Sequence, residues 1–246
     1  MLPPLVCALG AVLVHTFGAN TEVFLALQHA TGHFPDTLWA FLTDQASVAS
    51  VAAWMALALL VKPVFAAAVL LSWPAGIVLV RGLKYLVDAP RPEVLLPPDA
   101  IHVIGVRLDT LSFPSGHTAT AFAVASALLF SLSPGARALW LLPALSLATA
   151  IGLSRIAVGA HWPVDVLAGA AIGWLCGVSG ALWAQRWRFW TRRAGMLVLA
   201  GLGLVSGMAR LVLDSGYPSV APFAGLLGVA ALSISVWTAS RQWGAR

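Results

Sequence analysis

Long apolar runs separated by short polar interruptions dominate the chain, and its ionisable residues gather in the interruptions rather than recurring along one face of each run. Runs of this length cross about 30 Å of hydrocarbon as helices. The pattern predicts eight transmembrane helices, over 2–18, 36–60, 64–83, 116–132, 138–154, 163–184, 195–213 and 220–240. The stretch NTEVFLALQHAT (20–31) is short and interrupted by Glu22 and Gln28, which predicts an interfacial helix rather than a further crossing. The expected fold class is all-α, a polytopic membrane helix bundle.

Composition agrees with this pattern. Of 246 residues 60% are hydrophobic and only 9% charged, with a mean hydropathy of +0.89, more apolar than a soluble core requires. No Lys or Arg precedes Lys62, and Val6 rather than a small residue precedes Cys7, so the first run is expected to stay in place as a span. Cys7 and Cys176 fall in apolar runs without metal-ligand spacing and are expected as packing thiols. The net charge of +5 comes from basic residues too dispersed to track a phosphate backbone, so nucleic acid is not an expected partner.

The charge has another use. With spans alternating across the bilayer, Lys62, Arg137, Arg186, Arg188, Arg192, Arg193, Arg241 and Arg246 share one side with both termini, and all the Asp and Glu residues belong to the other. The positive-inside rule makes the basic side cytoplasmic, so both termini are expected inside and the acidic face outside, in a bacterial inner membrane. Small residues at Gly169, Gly173 and Gly177, and again at Gly203 and Gly207, invite close helix contacts within one chain. The oligomeric state is left open.

Three polar clusters interrupt the outer face: KYLVDAPRP (84–92), SFPSGHT (112–118) and SRIAVGAHWPVD (154–165). Membrane topology alone brings them to one side. Lys84, Arg91 and Arg155 are charges near membrane depth, which require an anionic partner or a wet cavity, and three of them suit a phosphoryl group. Arg81 and Arg107 read instead as side chains reaching for lipid headgroups. Ser115 and Gly116 predict a capped helix N-terminus whose free N–H groups favour an anion, with His117 in its first turn. Pro163 predicts the start of the next helix, leaving His161 just outside it and Asp165 in its first turn. A carboxylate that holds one imidazole nitrogen leaves the other free to attack.

At these residues the chain resembles the type-2 phosphatidic acid phosphatase (PAP2) family of membrane lipid phosphatases, with its motifs Lys-x6-Arg-Pro, Pro-Ser-Gly-His and Ser-Arg-x5-His-x3-Asp. Each is intact, from Lys84 to Arg91-Pro92, from Pro114 to His117, and from Ser154-Arg155 through His161 to Asp165. The resemblance covers about residues 20–184. It implies a six-span phosphatase core over 1–184, with two additional C-terminal helices over 185–246. The vanadium haloperoxidases carry similar motifs but are soluble, unlike this composition.

The resemblance implies that His161 attacks phosphorus to form a phosphohistidine, oriented by Asp165. His117 protonates the departing oxygen and then activates water, while Lys84, Arg91, Arg155 and the backbone of Ser115 and Gly116 stabilise the equatorial oxygens. No cofactor and no metal are expected; spare carboxylates are too few for a magnesium site. The expected partners are a lipid phosphate substrate and membrane lipids. A polyprenyl pyrophosphate or a phospholipid phosphate fits best, beside a lipid A phosphate. Two other readings remain: a phosphotransferase passing the group from His161 to a lipid, and a non-enzymatic lipid-phosphate carrier, which has no use for an oriented nucleophile.

Overall fold

The computed structural model describes residues 2–109 and 111–244; Arg246, counted above with the basic side, lies outside them. Among the described residues there is no strand. The helices run α1 (Leu2–Thr16), α2 (Asn20–Thr31), α3 (Asp36–Asp44), α4 (Val48–Ala58), α5 (Pro63–Val87), α6 (Pro92–Leu95), α7 (Gly116–Phe130), α8 (Pro134–Ala157), α9 (Pro163–Trp187), α10 (Arg193–Val212) and α11 (Ala221–Gly244). The molecule is the all-α membrane bundle expected.

Five segments are long and apolar enough to cross a bilayer: Pro63–Leu95, Pro134–Ala157, Pro163–Trp187, Arg193–Val212 and Pro218–Trp243. α4 and α7 are apolar but shorter. One stretch is interrupted where a single span was expected. The run 36–60 is broken between α3 and α4, because Ser47 restarts the helix as an N-cap, its hydroxyl accepting from Ser50 N at 3.2 Å. The tract Asp44–Gln45 thus ends one helix instead of lying inside one. At the N-terminus α2 turns 114° away from α1, so 20–31 is a segment apart from the first run, as expected. That angle fits a helix lying across the end of the bundle.

α9 is the central post. A Cβ at Gly169 would stand 2.5 Å from Ser115 O, at Gly173 2.0 Å from Ala119 O, and at Gly177 2.1 Å from Ala123 O, so α7 packs backbone against backbone on the glycine stripe. Gly180 gives α5 the same access, 2.2 Å from Ala68 O. These glycines serve packing within one chain. Gly203 and Gly207 do likewise between α10 and α11, facing Ser235 and Leu232. The C-terminal pair leans on α4, where Ala53 and Ala56 bury against Leu227 and Ala231.

Helix directions separate two ends. α5 begins after Lys62 and carries Lys84 in its last turn; α7 and α9 begin at the end where α5 and α8 finish. At the far end Arg137 stacks on Phe130, and Arg193 on Trp243. Lys84, His117, Arg155, His161 and Asp165 all lie at the opposite end from these arginines.

Candidate active site

Four helix ends and the loop before α7 build the site. α9 opens with Pro163 at its first position, where a missing N–H costs nothing, so the chain before it is free to present His161. Asp165 then caps the turn from inside: its Oδ2 accepts from Trp162 N at 3.0 Å. The same oxygen accepts the Ser112 hydroxyl at 2.5 Å and lies 3.3 Å from His161 Nδ1. Trp162 anchors the loop, donating its indole N–H to Pro90 O at 2.9 Å.

The other imidazole nitrogen decides the chemistry. His161 Nε2 lies 3.3 Å from Arg91 Nη1. A guanidinium only donates, so Nε2 carries the lone pair and the ring proton sits on Nδ1, against Asp165. Burial, with Arg155, Arg91 and Lys84 near, pushes the His161 imidazole well below its usual range, offset in part by its hydrogen bond to Ser112. The ring is therefore neutral at pH 7, buried to 3% exposure, with a free electron pair facing cations.

Carbonyls hold two of those cations and hydroxyls the third. Lys84 Nζ donates to Leu111 O at 2.6 Å and Ser112 O at 3.1 Å. Arg91 Nη1 donates to Ala160 O at 2.7 Å, and its Nη2 to Leu111 O at 3.3 Å. Arg155, in the last turn of α8, donates from Nη1 to Thr43 and, at 3.4 Å, to the Tyr217 hydroxyl. Its buried Nε has no hydrogen-bond partner among the described residues. Neutral oxygens position a cation without cancelling its charge, so these bonds leave the site attractive to an anion.

At the start of α7, Ser115 is the N-cap, accepting from Thr118 N at 3.4 Å, and its own N–H donates to Asp165 O at 3.0 Å. Gly116 follows as the first helical residue. His117 lies within coulombic reach of Arg155, His161, Arg91 and Lys84. Gly116, His117 and Arg81 line a groove of about 360 Å³ between α5 and α7. A second groove, about 600 Å³, reaches Asp165 and Trp162 past Val12 and His15 of α1.

All eight residues singled out in the sequence thus occupy one end of the bundle: Lys84, Arg91, Ser115, Gly116, His117, Arg155, His161 and Asp165. Arg107 and Arg81 make no hydrogen bond or ion pair among the described residues. Sequence reasoning missed Ser112, whose hydroxyl bridges Asp165 and His161 Nδ1 (3.4 Å to the latter); its place two residues before Pro114 was the available signal. It also missed Thr43 and Tyr217, which reach Arg155 from distant segments and carry no local signal at all. Among the described residues no three His, Cys, Asp or Glu side chains gather as a metal site would need.

A helical membrane bundle whose one polar end joins an oriented, neutral imidazole to a lysine and two arginines defines a phosphoryl-handling membrane protein. The PAP2 superfamily model matches residues 64–189, and the chain belongs to that superfamily. A lipid A 1-phosphatase of Porphyromonas gingivalis is 51% identical over 28% of this chain and 15% of its own length. The undecaprenyl-diphosphatase BcrC of Bacillus subtilis is 33% identical over 64% of this chain and 80% of its own. The crystal structure of Aquifex aeolicus LpxE aligns with a TM-score of 0.57 at 29% identity, covering 65% of this chain and 93% of that one. A transmembrane PAP2 type phosphatidylglycerolphosphate phosphatase from Bacillus subtilis shares the fold, with a TM-score of 0.58 at 20% identity over 76% and 98% of the two chains. Together these support a membrane lipid phosphatase.

Proposed function

We propose that the protein hydrolyses a lipid phosphate or pyrophosphate through a phosphohistidine on His161. The neutral Nε2 attacks phosphorus; a P–N bond forms as the P–O bond to the lipid breaks. His117, on the opposite groove, gives its proton to the departing oxygen, then takes one from the water that cleaves the P–N bond and releases inorganic phosphate. Asp165 holds the Nδ1 proton and steadies the charge that Nε2 acquires, with Ser112 fixing the carboxylate. Lys84, Arg91, Arg155 and the N–H groups opening α7 bind the equatorial oxygens as they gain charge. The observation that carries this reading is the line Asp165–His161–Arg91, which aims an unprotonated nitrogen at the cations.

The grooves reaching His117 and Asp165 have apolar walls, as a lipid-borne phosphate requires. A polyprenyl pyrophosphate or a phospholipid phosphate is the proposed substrate, in line with the undecaprenyl-diphosphatase name of one relative. The membrane is a bacterial inner membrane with both termini cytoplasmic and the site outside; the arginines at the far end of the bundle support that orientation. Inorganic phosphate release is to be measured from undecaprenyl pyrophosphate, phosphatidylglycerol phosphate, phosphatidate and lipid A phosphate in turn. Release from one of these as sole lipid is the expected result. Transfer to a second lipid without release would make the protein a phosphotransferase, and tight binding without turnover a carrier.

A further inference from the structure

Residues 64–189, which match the superfamily model, contain every group proposed to face the phosphate. The groups behind Arg155 do not come from that region. Both side-chain hydrogen bonds of Arg155 leave from Nη1, one to Thr43 at the end of α3 and one to Tyr217 between α10 and α11. Nε, on the other edge of the guanidinium, is buried and unpaired among the described residues. One edge is thus anchored and the other left for an anion.

The anchors are themselves held. Asp44, next to Thr43, takes both terminal nitrogens of Arg210 on α10 at 2.9 and 2.7 Å, a fork buried on both sides. This ties the end of α10 to the end of α3. Tyr217 then lies over Ala157, Val158 and Ala160, where α8 runs toward His161. Its ring fills the space where a Cβ on Gly105 would stand 2.5 Å from it, at a φ of +88° that glycine tolerates.

We propose that Thr43 and Tyr217 are positioning residues for Arg155, so that the C-terminal helices α10 and α11 form part of the phosphate site. This rests on the phosphate-binding role proposed above for Arg155. Thr43 and Tyr217 touch no substrate; they set the angle at which the Nε edge meets a phosphoryl oxygen.

The test uses the full chain purified in detergent, with orthovanadate as a phosphoryl mimic and a lipid phosphate as substrate. Tyr217→Phe keeps the ring against Gly105 and removes the hydroxyl; Thr43→Val removes the other acceptor, and Thr43→Ser restores it. Each loss of an acceptor to a charged group is expected to weaken vanadate inhibition and lower kcat/KM roughly tenfold, with thermal stability near wild type for Tyr217→Phe and recovery in Thr43→Ser. In an Arg155→Ala background neither change costs anything further, because the group they position is gone. Wild-type vanadate inhibition in Tyr217→Phe, or losses that persist undiminished in the Arg155→Ala background, would overturn the proposal. Should Thr43→Val not fold, the Tyr217→Phe cycle decides alone. A wild-type protein that binds vanadate yet releases phosphate from no lipid would defeat the proposed function instead, leaving the vanadate cycle to judge this inference.

Discussion

Two carboxylates lie buried at the same end of this bundle, each 2% exposed, and each faces a nitrogen base. Asp44 grips Arg210 through two short bonds; Asp165 faces His161 at 3.3 Å and spends its closest bond, 2.5 Å, on Ser112. Arginine does not give up its proton in a protein, so the first pair is a fixed clamp. An imidazole, unlike a guanidinium, exists with or without its second proton, so the second pair can change charge while keeping its shape. The proposed chemistry belongs to the looser pair, and the tighter one holds helices together.

Replacing His161 with Ala removes the proposed nucleophile and should cut kcat by about 10⁴-fold or more, with the fold intact by thermal unfolding. Asp165→Asn keeps the size but frees the imidazole to take the other tautomer, and should cost about 10³-fold in kcat. Substantial turnover in either variant would erase the distinction between the pairs. Asp44→Ala should show the opposite signature: about 3–5 kcal/mol of stability lost, since Arg210 is left buried and unpaired. Removing both partners as Asp44→Leu with Arg210→Met should recover most of that loss, whereas no partner change at position 165 rescues His161→Ala.

Smaller effects sharpen the picture. His117→Ala should slow turnover by about 10²-fold, most for the poorest leaving groups, because the departing oxygen then leaves without a proton. A near-equal loss across good and poor leaving groups would remove His117 from that step. The pH profile follows from His161, whose cationic form is disfavoured by burial and by Arg155, Arg91 and Lys84. Protonation would occupy the attacking lone pair, so activity should fall only as the pH drops below the ordinary histidine range. The acid limb of kcat/KM is expected below pH ~6.5, and a limb centred above that value would contradict the neutral nucleophile.

Much of this arrangement was legible in the chain. The apolar runs announced the helices, and three polar clusters at alternate span ends had to meet once the spans were drawn. Pro163 before Asp165 and Ser115 before Gly116 are local signals, and the helices begin where those residues say. Interruptions inside apolar runs were harder to weigh. Asp44 and Ser47 end one helix and cap the next, yet within 36–60 they read as two polar residues in a long span. Contacts across the bundle were beyond reach. Thr43 and Tyr217 meet at Arg155 from opposite parts of the chain, and no periodicity or spacing links them.

The central claim is that His161 carries the phosphoryl group. Rapid mixing with a radiolabelled lipid phosphate, quenched in alkali to preserve a P–N bond, tests it directly. The account predicts label on the peptide containing His161 in wild type, more of it in His117→Ala if water activation limits, and none in His161→Ala. Label that persists in His161→Ala, or a wild-type burst of phosphate with no labelled protein at any quench time, would contradict it.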